Sequence, residues 1–307
     1  MMMNKKKRKT LLLIDGNYLM YRSYWGIRGL TTSYGLLVNA VYGFVISLIK
    51  TLEDIEPDKI AIVFDGRGKT WRHKLVEEAI KKGTAKRIYK DRTKEGLENF
   101  YQQMSIVKKF LKILNVKTYC RKAVESDDIL GTLVKRYDKK GYTSILFTKD
   151  QDFYQLLKYR LKLYKSDAVK KFFSSKDFCE KFIIKPKDWC FVGAMMGDGS
   201  DTIEGIKGVG LKRASLMARE YGKLKTLIKE LRAEGSISKH GCTIRKSDIK
   251  RLKLNMKLKR IIDIDDIDNV PKNKGIRRKR LKKFFKKYEI ESVQTMKFAK
   301  LLGGIAK

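Results

Sequence analysis

Three short, largely apolar runs of this chain each end at an aspartate. They are Leu11-Leu12-Leu13-Ile14 before Asp15, Ile60-Ala61-Ile62-Val63-Phe64 before Asp65, and Ser144-Ile145-Leu146-Phe147-Thr148-Lys149 before Asp150. Runs without a polar alternation suit strands covered on both faces, which is the habit of parallel sheets enclosed by helices. Between them the pattern predicts helices over residues 36–53, 97–114 and 127–139, with a short strand at 116–119 before the last. The resulting order of strands and helices is that of an α/β fold with a mostly parallel central sheet flanked by helices. Such sheets carry their sites beyond the carboxyl ends of the strands, so Asp15, Asp65 and Asp150 are expected along one edge.

The character of the chain changes near residue 186. Helical periodicity then recurs at 211–221, 224–231 and 246–262, and residues 272–288 form a basic helix with one apolar face made by Leu281, Phe284, Phe285 and Tyr288. The division expected is an α/β domain over 1–185, with a basic insert at about 67–95, followed by a helical domain over 186–307. Neither an internal repeat nor a proline-rich linker interrupts it.

Further acids fall where they can join the sheet edge. Glu125, Asp127 and Asp128 open the helix after the short strand, and Asp152 follows Asp150 by two residues. Asp198 and Asp201 are three apart, a spacing that lets them share a cation. They run into a glycine hairpin, Gly205-Ile206-Lys207-Gly208-Val209-Gly210, at the start of a helix carrying Lys212 and Arg213. Glycines there permit positive φ and let backbone N–H groups approach a phosphate. The structural alternatives are helix capping for the acids and an ordinary turn for the glycines.

Charge changes the meaning of that edge. The 307 residues hold 71 Lys+Arg against 34 Asp+Glu, a net charge of +37, and so large an excess points to a polyanionic partner, nucleic acid first. Nine carboxylates gathered on one rim of so basic a protein repel one another until divalent cations join them. Oxygen donors without accompanying His or Cys suit Mg²⁺ or Mn²⁺ rather than zinc. Residues 67–94 carry eleven Lys/Arg and three acids, with Trp71-Arg72 and Tyr89-Lys90 pairing aromatic faces with cations, a combination suited to splayed nucleotides. The apolar run after the basic start is too short for an export signal, no run approaches a membrane span, and Cys120, Cys179, Cys190 and Cys242 show no zinc or disulfide spacing. A cytoplasmic protein with reduced thiols is expected.

In order along the chain, Leu13-Ile14-Asp15-Gly16-Asn17 with Tyr21-Arg22, Val63-Phe64-Asp65-Gly66, Glu125-Ser126-Asp127-Asp128, Asp150-Gln151-Asp152-Phe153-Tyr154-Gln155-Leu156 and Gly197-Asp198-Gly199-Ser200-Asp201 before the glycine hairpin resemble the structure-specific 5′ nucleases. This is the flap endonuclease and 5′-3′ exonuclease group, and the likeness is greatest to stand-alone bacteriophage members and the 5′ nuclease domain of bacterial DNA polymerase I. The resemblance implies a PIN-like fold with a helical arch over the site and a helix-three-turn-helix at 205–214 that grips duplex DNA and binds K⁺. It assigns the metals to Asp15, Asp65, Glu125, Asp127, Asp128, Asp150, Asp152, Asp198 and Asp201, and the arch cations beside the scissile phosphate to Lys90 and Arg72, although the interval between these two is wider than the family pattern. It further makes Arg22, Lys69, Arg92, Gly205, Gly208, Val209, Gly210, Lys212 and Arg213 contacts to DNA. The function implied is two-metal hydrolysis of flapped, nicked or 5′-ended DNA, with RNA of an RNA–DNA duplex as a further substrate, by a monomer acting in replication. A DNA-binding protein without chemistry would gain nothing from acids facing phosphate. A PIN-like ribonuclease would not need the 205–214 hairpin.

Overall fold

A computed structural model describes residues 8–90, 97–290, 298 and 300–303. Its central sheet has the order β3-β2-β1-β4-β5-β6. The strands are β1 (Thr10–Asp15), β2 (Lys59–Val63), β3 (Lys117–Tyr119), β4 (Thr143–Phe147), β5 (Leu161–Tyr164) and β6 (Phe172–Phe173). All neighbouring pairs are parallel except β5 with β6, at the edge. Leu11 and Leu13 enter the core on one side of the sheet, Leu12 and Ile14 the core on the other, and all four are fully buried. That two-sided burial is why β1 reads as an unbroken apolar run.

One face is covered by α1 (Gly16–Gly26), α2 (Asn39–Ile55) and α4 (Glu98–Ile113). Helix α2 has no side-chain cap of its own, and the need is met from α4. Gln103 is buried and its Oε1 accepts from the N–H groups of Ala40 and Val41 at 2.8 and 3.2 Å, while its Nε2 donates to Asn39. Two orphan donors of a helix start are thereby satisfied by a neighbouring element. The opposite face is covered by α5 (Ser126–Lys139) and then by α6 (Ser175–Phe182), α7 (Trp189–Met196), α8 (Leu211–Tyr221) and α9 (Leu224–Glu234). A single apolar cluster runs from Leu11 through Trp189 and Met217 to Val270, so the change near 186 is one of secondary structure and not of core.

Between β2 and α4 stands α3 (Trp71–Lys81), whose underside meets α10 (Ile249–Leu258) and the two-residue strand β8 (Ile203–Glu204), paired with β7 (Gly197–Asp198). Val76 and Tyr89 pack there on Ile203 and Leu258. A second hairpin, β9 (Ser236–Lys239) with β10 (Cys242–Arg245), joins α9 to α10. After α10 the chain returns along the sheet layer, where Arg121 donates to the Asp265 carbonyl and Asn115 to that of Gly275. The basic helix α11 (Arg278–Lys287) buries Leu281, Phe284 and Phe285 against α4, the docking its apolar face predicts. No helix among the described residues is long and apolar enough to cross a membrane.

Candidate active site

Strands β2, β1 and β4 are adjacent and parallel, so the aspartates that follow them leave the sheet side by side. Asp15 caps α1: its Oδ1 accepts from the Tyr18 N–H at 3.0 Å and its Oδ2 from the Thr148 hydroxyl at 3.2 Å. Burial, joined by the nearby charges of Asp65 and Asp150, pushes its carboxyl up to about 7 against those two hydrogen bonds. Asp65 accepts from Asn17 Nδ2 at 3.0 Å and, through Oδ1, from both the N–H and the hydroxyl of Ser126. It thus satisfies the first turn of α5 from outside and draws Asp127, in that same turn, to the sheet edge. Asp127 is raised well above the carboxylate range, by burial first and then by Asp150. Asp150 opens a short 3-10 helix at Gln151–Leu156 by accepting from the Asp152 N–H at 2.7 Å.

The remaining acids arrive on the β7–β8 loop. Gly197 has φ +71° and lies back to back with Gly205, where an added Cβ would fall 2.0 Å from the Met196 carbonyl oxygen. That contact closes the loop and leaves Asp198 and Asp201 facing the sheet edge. One carboxylate oxygen from each of Asp152, Asp198 and Asp201 lies within 4.8 Å of the others, close to the span of about 4.2 Å across the oxygens around one Mg²⁺. Seven of the nine predicted acids line one open cleft of about 720 Å³: Asp15, Asp65, Asp127, Asp150, Asp152, Asp198 and Asp201. No His or Cys lines it among the described residues, so the donor set is that of a hard divalent cation.

Two expectations are corrected. Asp128 is fully buried and turned away from the cleft; it accepts both Arg72 terminal nitrogens at 2.8 and 2.9 Å, Trp71 Nε1 at 2.9 Å and the Ile262 N–H at 3.0 Å. Four donors on its two oxygens tie it to α3 and to the chain just after α10, away from the cleft. Its partner Arg72 is 3% exposed and also donates to the carbonyls of Leu258 and Arg260, so it ties α3 to the end of α10 and does not line the cleft. Glu125 lies between the two situations. It accepts from Thr70, Tyr89 and Lys90, and although burial opposes its charge, Lys90 and Arg72 hold its carboxyl down to about 2. It does not itself line the cleft; it anchors Lys90.

Lys90 does line it, with Nζ 2.7 Å from Glu125 Oε2. Burial works against its charge, but Tyr89, Glu125, Asp201 and Asp127 together raise its pKa, so it is an ammonium. Its backbone has φ +49°, uncommon outside glycine, and its N–H donates to the Asp201 carbonyl at 3.2 Å. The missed residue is Lys259, just after α10, with Nζ 3.0 and 3.1 Å from the Asp152 oxygens and 2.5 Å from Asp198 Oδ2. Those contacts hold Asp198 below the usual carboxylate range despite its burial, whereas Asp152, buried and beside Asp150, stands at about 7 in spite of them. Its signal was the helix phase: Leu252, Asn255 and Lys259 fall three and four apart on the buried face of α10.

The expected DNA contacts divide similarly. Gly208 has φ +76°, and its carbonyl accepts from Arg213; Val209 is buried, and Gly210 caps α8 at an ordinary φ of −92° with open space around it. Lys212 and Arg213 are exposed at the start of α8. Gly205 serves the β7–β8 closure. Arg22 is paired with Asp167 and sits over the Phe147 ring, and Lys69 is paired with Glu77 on the surface. Arg92 lies outside the described residues.

The sheet edge, α5, the 3-10 helix and the β7–β8 loop together bring seven acids to one cleft of a strongly basic chain, a set of hard oxygen donors. Residues 10–183 match the 5′-3′ exonuclease, N-terminal resolvase-like domain, and the chain belongs to that family. Thermostable DNA polymerase I of Thermus thermophilus is 36% identical over 221 residues, 72% of this chain and 25% of the polymerase. DNA polymerase I of Bacillus subtilis is 31% identical over 228 residues, 73% of this chain and again 25% of the polymerase. The chain therefore spans about a quarter of the length of these curated relatives. Among solved structures, the T5 D15 protein co-crystallised with metal ions superposes with a TM-score of 0.63 at 19% identity, covering 97% of this chain and 100% of that one. The catalytic core of Rad2 in complex with DNA substrate gives 0.59 at 15%, covering 97% and 93%.

Proposed function

We propose that this chain is a structure-specific 5′ nuclease that hydrolyses phosphodiesters of flapped, nicked or 5′-ended DNA with divalent cations, Mg²⁺ or Mn²⁺, held by the cleft carboxylates. The observation that carries the reading is the convergence of seven acids on one cleft in a protein of net charge +37. Bound divalent ions supply an activated water and a counter-charge for the leaving oxygen. Asp152, Asp198 and Asp201, whose oxygens lie together, would hold one ion, and Asp15, Asp65, Asp127 and Asp150, on the same cleft, would hold another. Thr148, Asn17 and Ser126 fix the orientation of the first group by hydrogen bonds. Lys90, kept charged at the cleft wall, offsets the negative charge that grows on the phosphate as it is attacked. The Gly208 turn and the exposed Lys212 and Arg213 would grip the duplex arm, with K⁺ bound near the turn as a further cofactor, and RNA of an RNA–DNA duplex would be accepted as well as DNA.

The test is cleavage of end-labelled 5′-flap, nicked, single-stranded and RNA–DNA duplex substrates with Mg²⁺ and with EDTA. Products cut from the 5′ side in Mg²⁺ and none in EDTA are expected. Binding of all four without cleavage would leave a DNA-binding protein, and cleavage of RNA alone would leave a ribonuclease.

A further inference from the structure

A charged side chain that is almost completely buried needs a partner of opposite sign, and Lys259 has two that a metal ion would also use. Its side chain is 5% exposed and its three Nζ contacts all go to Asp152 and Asp198. Both ends of the residue are fixed. Its N–H donates to the Asn255 carbonyl, its own carbonyl accepts from Gln155, and its stem lies over Gly193 of α7, where an added Cβ would come 3.2 Å from Lys259 Cγ. Asp152 and Asp198 belong to the trio completed by Asp201. An ammonium 2.5 to 3.1 Å from oxygens of Asp152 and Asp198 occupies part of the space, and supplies half of the positive charge, that a divalent ion shared by the trio would bring. Two cations cannot sit that close together in a half-buried site without strong repulsion.

We propose that the Lys259 ammonium is the resident cation of the Asp152, Asp198 and Asp201 group, and that a divalent ion enters this group only by displacing it. Lys259 then does two things. It bridges Asp152 and Asp198 beside Asp201 when no ion is present, and it weakens the group's affinity for its ion relative to the carboxylates at Asp15, Asp65, Asp127 and Asp150. This inference rests on the reading of the cleft as a divalent-cation site.

The experiment is Mn²⁺ binding to the full chain without DNA, followed by electron paramagnetic resonance of the free ion. Wild type is expected to show a tighter and a weaker class of site. Lys259→Met, which keeps the stem and removes the charge, is expected to tighten the weaker class by about 10-fold or more. An unchanged weaker class in folded Lys259→Met overturns the proposal while leaving the cleft a cation site. Absence of Mn²⁺ binding in both proteins overturns the underlying reading and the proposal with it. A second measurement uses wild type alone: acetylation of Lys259 by an N-hydroxysuccinimide ester, followed by peptide mass spectrometry. Labelling that is slow in EDTA and faster in Mn²⁺ supports displacement, and equal labelling overturns it.

Discussion

Lys90 and Arg72 leave the same basic stretch and end in opposite chemistry. Lys90 stands at the cleft wall with Glu125 beneath it, whereas Arg72 is sealed against Asp128. Lys90→Ala is expected to slow single-turnover cleavage by about 10² or more with little change in duplex affinity, because its charge acts mainly on the transition state. Arg72→Ala strands the Asp128 carboxylate in the core and is expected to cost about 3 to 5 kcal/mol of stability, read in denaturant unfolding. A stable Arg72→Ala protein that binds DNA but cuts slowly would return Arg72 to the site. The sequence could not separate the two, because both are basic residues beside an aromatic in one charge run.

Asp15 and Asp152 carry a pH signature of the ion-free cleft. Their folded values of about 7 lie above the roughly 3.9 of an unfolded aspartate. Between those values the folded chain holds protons that the unfolded chain has released, so their contribution to stability is greatest below about pH 4 and is lost as pH rises through about 7. In EDTA the melting temperature of wild type should therefore fall more between about pH 5 and pH 8 than that of Asp15→Asn/Asp152→Asn. Parallel behaviour of the two proteins would show that the carboxylates are not strained.

At the scale of elements, the parallel strands and their aspartates were legible because two-sided burial writes an unbroken apolar run. Strands β5 and β6 were not: Lys162 interrupts one, and the other is two residues long and depends on pairing with its neighbour. The β9–β10 hairpin lies in polar sequence with a single buried residue on each strand, which is too little pattern to read. In the 205–214 stretch the glycines looked alike but have different tasks. Gly205 closes the loop of Asp198 and Asp201, Gly208 takes the positive φ, and Gly210 is free of crowding. Gly208→Ala should thus cost about 1 kcal/mol in the turn and weaken flap DNA binding, while Gly210→Ala changes little. Lys212→Ala should shallow the salt dependence of duplex binding by about one unit of slope. If Gly208→Ala and Lys212→Ala both bind like wild type with an unchanged slope, the duplex is held elsewhere, with α11 the next surface to test.

For the whole molecule, the cost of gathering acids is met by the fold around them. The sheet fixes three strand ends, α5 and the β7–β8 loop bring the rest, and the cations at Lys90 and Lys259 stand inside the cleft while the excess of positive charge lies outside it. Lys259 was hard to single out in the sequence because, among 71 Lys+Arg, only its helix phase after Leu252 and Asn255 marks it as buried, and its partners lie 61 and 107 residues away. The central claim is that the acids act in cleavage and not in holding DNA. It is tested most directly by single-turnover cleavage of a 5′-flap DNA in Mg²⁺ by wild type and by Asp127→Asn/Asp150→Asn, with affinity for the same DNA measured alongside. Loss of cleavage with equal or tighter binding, since repulsion between carboxylate and phosphate falls, is the result expected; retained Mg²⁺-dependent turnover in the folded double variant would contradict the account.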